Sequence, residues 1–128
     1  MNPTDFYYSK EHEWVHIDSQ GMAVVGITDY AQDQLGDIVF LDLPSVGATL
    51  TQFQKMGEIE SVKAVSDLFI PISGRVIEVN PLVSDQPELV NHEPYVRGWM
   101  IRVEMSNPEE LKRLMNSEEY EALIAEAR

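Results

Sequence analysis

Two clusters in this chain have residue types and spacings that can do chemistry, and the first is built around Lys63. It is the only positive charge between Gly57 and Gly74. An Ile59/Val62 arm precedes it and a Val65/Phe69/Ile70/Ile72 arm follows, both β-branched or aromatic, and the small polar run from Ser61 to Ser66 is able to turn. The pattern predicts a tight hairpin with an exposed amine at its tip, which is what a modifying enzyme needs from a carrier protein. Most exposed lysines only solvate a surface, and spacing alone favours that plain reading. Glu58 and Glu60, just before the lysine, read by default as exposed strand acids.

The second cluster is His12-Glu13-Trp14-Val15-His16, a literal H-E-x-x-H. In zinc peptidases this pattern sets two histidines one helical turn apart with a glutamate as general base. That chemistry requires a helix, because residues four apart in a strand sit roughly 13 Å from each other. Trp14 to Ile17 leads instead into a hairpin, His92 is the one other histidine, and no thiolate exists to complete a site. No metal is expected, and a zinc peptidase remains only as a rival of a different class.

The elements that position these residues read mainly as strand. Trp14–Ile17 and Met22–Ile27, joined by Asp18-Ser19-Gln20-Gly21, form an opening hairpin. Thr28-Asp29 can cap a helix of about two turns over Tyr30–Leu35, and Gly36 suits a left-handed stop. Ile38–Leu43 reads as a buried-type strand ended by Pro44, and Ser45–Leu50 with Phe53 as a short strand and turn. Arg75–Val79 is a strand closed by Asn80-Pro81, residues 81 to 95 an ordered loop, and Gly98–Met105 the last strand. Trp14 and Trp99 are expected in or at the edge of the core. Asn107-Pro108-Glu109-Glu110 is a strong helix start, with Leu111, Leu114 and Met115 on one face. Asn116-Ser117-Glu118-Glu119 opens a second helix carrying Tyr120, Leu123 and Ile124, and the pair is expected to cover one face of the β core.

With 128 residues the chain is most simply one domain over 1–128, its β core at about 5–105 and a helical segment at about 107–127. There are no cysteines, so redox chemistry would have to come from a bound group. Twenty-two acidic against nine basic residues give a formal charge of -13, which opposes nucleic acid and anionic membranes as partners. Residues 1–8 lack the basic start and apolar run of a secretory signal, and no stretch reaches the length of a membrane span. A soluble, cytoplasmic protein is expected, or a mitochondrial-matrix one if the source is a eukaryote.

Glu60-Ser61-Val62-Lys63-Ala64-Val65-Ser66-Asp67 resembles the lipoylation segment of the glycine cleavage system H protein family. The likeness continues, in family order, through Tyr8–Val15, Gly26–Gln32, Leu35–Phe40, Pro71–Gly74 and Pro94–Met100. It implies a lipoyl-domain-like flattened antiparallel β sandwich (a barrel-sandwich hybrid), with a short helix near 28–36 and C-terminal helices. Lys63 would carry lipoic acid in amide linkage, with Glu58, Glu60, Ser61, Val62, Ala64 and Asp67 forming the recognised hairpin. The protein would be a monomeric, non-catalytic carrier subunit. Its arm would take an aminomethyl group from the glycine decarboxylase (P protein) to the tetrahydrofolate-dependent aminomethyltransferase (T protein), and dihydrolipoamide dehydrogenase (L protein) would reoxidise it. A lipoate ligase or a lipoyl/octanoyl transferase would attach the arm.

In the family the loaded arm rests in a water-poor cleft, and the matching acids here are Glu13 and Asp67. Two cleft positions depart from some members: Gln34 stands where they have histidine, and Glu11 where they have serine. Gln34 can hydrogen-bond but cannot titrate. Related carriers fit less well. Biotin carriers flank their lysine with methionines rather than Val62 and Ala64, and the lipoyl domains of 2-oxo acid dehydrogenases lack the Gly26-Ile27-Thr28-Asp29 block and the helical tail. An H-like lipoyl or octanoyl donor of lipoate metabolism is the alternative within the family.

Overall fold

A computed structural model describes residues 2–127. Its strands form two antiparallel sheets. β1 (Tyr7–Tyr8), β2 (Glu13–Ile17), β3 (Ala23–Ile27), β5 (Thr49–Leu50), β8 (Gly74–Val79) and β9 (Ile101–Met105) make a six-stranded sheet in the order β1-β2-β3-β9-β8-β5. β4 (Ile38–Asp42), β6 (Lys55–Ser61) and β7 (Val65–Phe69) make a three-stranded sheet in the order β4-β6-β7. The mainly β sandwich expected from the sequence is present.

Alternation sets which side chains meet between the sheets. Val15, Val25, Val76, Ile101 and Val103 from the larger sheet and Leu41, Ile59 and Leu68 from the smaller one belong to a single buried cluster. The β2–β3 hairpin is closed by Asp18, whose Oδ1 accepts from the Gln20 and Met22 amides at 2.9 and 3.0 Å. On the other face Arg102 donates to Asp18 at 2.7 Å and lies 3.6 Å from Glu78, fixing β9 against the hairpin turn and β8.

A second cluster joins Tyr8, Trp14, Tyr120 and Ile124. Trp14 is 1 % exposed and lies over Gly26, its cross-strand partner. A Cβ on Gly26 would fall 2.6 Å from the indole ring, so the glycine is what lets tryptophan lie flat on the sheet. The indole Nε1 donates to the carbonyls of Ile27 and Pro94 at 2.9 and 3.0 Å, so the expectation of a core tryptophan holds. The C-terminal helix α4 (Ser117–Ala127) packs here by stacking Tyr120 on Tyr8 at 4.8 Å. Asn116 and Glu119 exchange side-chain-to-backbone bonds at its start, a reciprocal cap.

Helix α1 (Asp29–Leu35) forms where its signals placed it, with Thr28 Oγ1 accepting from the Ala31 amide and Gly36 at φ 85°. Three expectations need correction. The stretch 81–95 is not all loop: Asn80 caps α2 (Pro81–Asp85), and α3 (Leu89–His92) follows. Neither is long enough to show apolar periodicity, and each is held by burying Val83, Leu89 and Val90. The helix expected at 107–115 is a tight 3-10 turn over Pro108–Arg113, pinned by the Glu110 carboxylate, which accepts from both the amide and the hydroxyl of Ser73 at 2.7 Å. Finally, β4 is not buried on both faces. The register shifts between Ile38 and Phe40, leaving Val39 and Phe40 about half exposed while Ile38 and Leu41 point inward.

Candidate functional site

The lysine hairpin is tighter than its composition suggested, because strand pairing continues to Ser61 on one side and resumes at Val65 on the other. Ser61 shapes the turn: its hydroxyl accepts from the amides of Lys63 and Ala64 at 3.3 and 3.1 Å, and its own amide donates to the Ala64 carbonyl at 2.8 Å. Among the candidate recognition residues, Ser61 is therefore buried and internally engaged, whereas Glu60, Val62 and Ala64 are exposed beside Lys63. Glu58 and Asp67 face each other across β6 and β7, a juxtaposition of like charges that would be unfavourable alone. Lys55 resolves it by reaching Glu58 at 2.8 Å and Asp67 at 3.2 Å, and the two carboxylates raise the pKa of its amine. The motif around Lys63 gave no hint of that pairing, since it depends on register across the sheet.

Lys63 is exposed, yet its stem has a direction. The position a Cβ on Gly36 would take lies 3.6 Å from Lys63 Cε and 3.9 Å from Cδ, so the lysine passes over the bare end of α1. Beyond that end lies a cleft of about 600 Å³ between α1, the Glu11–Glu13 segment and β7. Gln34, Leu35 and Ala31 form one wall, Ile59, Leu68 and Phe69 supply apolar surface, and Glu13 and Asp67 both reach it. Glu13, Asp67 and Gln34, separate in sequence, thus meet in one concavity, and Glu11 lies at the same cleft.

The two acids differ. Asp67 is exposed and ion-paired with Lys55, whereas Glu13 is 1 % exposed, far from the ordinary surface acid that its place in a strand suggests. Burial pushes the Glu13 pKa up to about 8, against the opposing pull of hydrogen bonds from Ser9 Oγ at 2.7 Å and the Phe69 amide at 3.2 Å. At neutral pH Glu13 thus favours its protonated form, ready to give up a proton to a base that enters the cleft.

His12 also lines the cleft, in a left-handed conformation at φ 70° that a histidine rarely takes. Its Nδ1 bonds to the Tyr120 hydroxyl at 2.8 Å, and that hydroxyl lies 2.7 Å from Thr28 Oγ1, the cap of α1. Burial lowers the His12 pKa and keeps the ring neutral. His16, by contrast, stacks on Phe6 at 4.6 Å. With β2 extended over Glu13–Ile17, the histidines of the H-E-x-x-H string serve different neighbours, and the helical geometry needed for a shared metal is missing. The roles of His12 and Tyr120 were not legible in sequence, because their partnership spans 108 residues.

Among the described residues no helix is long and apolar enough to cross a membrane. A family model described as glycine cleavage H-protein matches residues 6–127. The glycine cleavage system H protein of Carboxydothermus hydrogenoformans is 52% identical over 124 residues, covering 97% of this chain and 95% of that one. The protein of the same name from Symbiobacterium thermophilum is 50% identical, covering 97% and 96%. Among solved structures, a glycine cleavage system H protein from Mycobacterium marinum superposes with a TM-score of 0.88 at 37% identity, covering 97% of this chain and 99% of that one.

Proposed function

This chain belongs to the glycine cleavage H-protein family, the lipoyl carriers of glycine cleavage, and from that premise we propose that Lys63 is the residue that bears the lipoyl group, in amide linkage. The observation that carries the assignment is an exposed amine on a tight hairpin whose stem passes over Gly36, the residue after Leu35 of the cleft wall. The bound group supplies a redox-active disulfide, which a chain with no cysteine cannot provide for itself. The cleft suits such an arm, since Leu35, Ile59, Leu68 and Phe69 offer apolar surface and Glu13 a single buried acid.

The protein's own residues then hold and shield the cargo. A neutral amine brought into the cleft meets the protonated Glu13 carboxyl and takes its proton, so an ion pair forms without carrying a bare charge into a water-poor space. Asp67, balanced by Lys55, adds negative potential at the mouth, and Gln34 offers hydrogen bonds that do not change with pH. The chain itself acts as a non-catalytic carrier. Its partners are the decarboxylase, the aminomethyltransferase, the dihydrolipoamide dehydrogenase and a lipoylating enzyme, all met in the cytoplasm, and one tethered arm replaces diffusion of a free cofactor by a high local concentration.

The test is intact mass of the protein from its native source, with peptide mapping around Lys63, repeated on Lys63→Arg. A lipoyl increment on Lys63 that vanishes in the variant supports the assignment, and an unmodified lysine in cells that lipoylate other proteins overturns it. With the loaded protein, Glu13→Ala plus Asp67→Ala should shorten the lifetime of the aminomethyl cargo when variant and wild type are compared at equal lipoyl content, checked by mass. An unchanged lifetime would remove the cleft from the function.

A further inference from the structure

Asn91, on the four-residue helix α3, makes three hydrogen bonds with one side chain. Its Nδ2 donates to the Gly36 carbonyl and to Gln32 Oε1, each at 2.9 Å, and its Oδ1 accepts from the Ile38 amide, also at 2.9 Å. It therefore ties the last turn of α1 to the first residue of β4. Between those anchors lies Asp37, whose carbonyl accepts from the Val62 amide at 3.0 Å, the residue next to Lys63. Gly36, held by the same asparagine, is the surface over which the Lys63 stem passes. At Gly36, φ 85° with ψ -159° is a backbone region open to glycine almost alone, so this stop cannot relax into a neighbouring well with its bonds intact.

We infer that Asn91 is a positioning residue for Lys63: by clamping Gln32, Gly36 and Ile38 together it fixes the Asp37 carbonyl that holds the hairpin tip, and so sets the angle at which the arm leaves for the cleft. The same bonds hold α1, the wall carrying Ala31, Gln34 and Leu35, so one amide registers the start of the arm's path against its side. The donor half matters most. Two acceptors, the Gly36 carbonyl and Gln32 Oε1, converge on Nδ2, and an oxygen put there would face both of them. The effect on the arm rests on the reading that Lys63 is lipoylated, whereas the effect on the tip does not.

The experiment compares wild type, Asn91→Ala, the near-isosteric Asn91→Asp and, as a control of the same region, Val83→Ala, all as full chains with the lipoyl mass checked. Two quantities are read. One is hydrogen exchange at the Val62 amide, which needs no cofactor. The other is the rate at which the reduced arm is alkylated by N-ethylmaleimide, and because the chain has no cysteine the arm supplies the only thiols.

Both Asn91 variants should raise Val62 exchange about fivefold, the loss of roughly one hydrogen bond's protection, and should speed alkylation by a similar factor, while Val83→Ala changes neither. Unchanged Val62 exchange overturns the inference. So does a normal Asn91→Asp, which would show that the side chain only fills space, and so does faster exchange with unaltered alkylation. If no lipoyl mass is found, the assignment of Lys63 fails by itself, and Val62 exchange still decides whether Asn91 holds the tip.

Discussion

Replacing Glu13 by glutamine tests the chemistry of the cleft through stability alone. The folded protein keeps the Glu13 proton up to about pH 8, whereas an unfolded chain releases it near 4.5, the ordinary value for a glutamate. The folded state thus binds the extra proton throughout that window, and its stability falls as pH rises from 4.5 to about 8, then levels off. At 1.36 kcal/mol per unit, the full displacement has a ceiling of about 5 kcal/mol, and relaxation around an ionised carboxylate brings the realistic figure to about 2–4 kcal/mol. Glutamine mimics the neutral acid, since its carbonyl accepts from the Phe69 amide and its amide can donate to Ser9 Oγ once that hydroxyl, which donates to Glu13 in the wild type, rotates away. Urea midpoints of wild type and Glu13→Gln should therefore nearly coincide at pH 4. By pH 9 they should separate, with the variant the more stable by about 2–4 kcal/mol. Other acids titrate in both proteins and cancel in the difference. If the two stability curves run parallel within about 0.5 kcal/mol across that range, Glu13 is not a buried, proton-holding group and its proposed transfer to the cargo is wrong.

Tyr120→Phe removes the hydroxyl between His12 and Thr28 and should lower stability by about 1–3 kcal/mol in urea unfolding, because Thr28 loses a buried bond and His12 a partly buried one. Gly26→Ala forces a methyl into the Trp14 ring and should cost about 1–3 kcal/mol, accompanied by a red shift of tryptophan emission as the indole is displaced. Glu110→Ala leaves the Ser73 amide and hydroxyl without their acceptor and should cost about 1–3 kcal/mol. That loss is read as a lower urea midpoint together with faster proteolysis near residues 108–113. Lys55→Ala exposes Glu58 and Asp67 to each other, and salt should become stabilising in this variant relative to wild type, as read from urea midpoints at low and high ionic strength.

The parts of the fold visible in sequence are those specified locally. Arms of β-branched residues around Ser61–Ser66 determine a hairpin whatever lies elsewhere, and Thr28 and Gly36 bound a helix by their own conformational preferences. What escaped depends on distant chain. Glu13 reads as an exposed strand acid until α1 and β7 close over it, and Tyr120 is an ordinary helix aromatic until Tyr8 and His12 are brought to it. Helices α2 and α3 are too short to declare themselves by periodicity, which concealed Asn91 inside an apparent loop. The apolar run Ile38–Leu41 misled for another reason: an irregular register turned two of its residues outward, and composition carries no record of a bulge. The three cleft residues were found through family likeness, since no spacing relates Glu13, Gln34 and Asp67.

The strand order also bears on the timing of events during synthesis. β4, β6 and β7 all lie between residues 38 and 69, with only the two-residue β5 of the other sheet intervening, so this sheet and its lysine tip can pair as soon as that stretch has left the ribosome. The six-stranded sheet must wait, because β9 sits between β3 and β8 and begins only at Ile101. An enzyme that reads the hairpin alone can meet its target on a nascent chain, whereas one that needs the completed six-stranded sheet beneath it has to wait for β9.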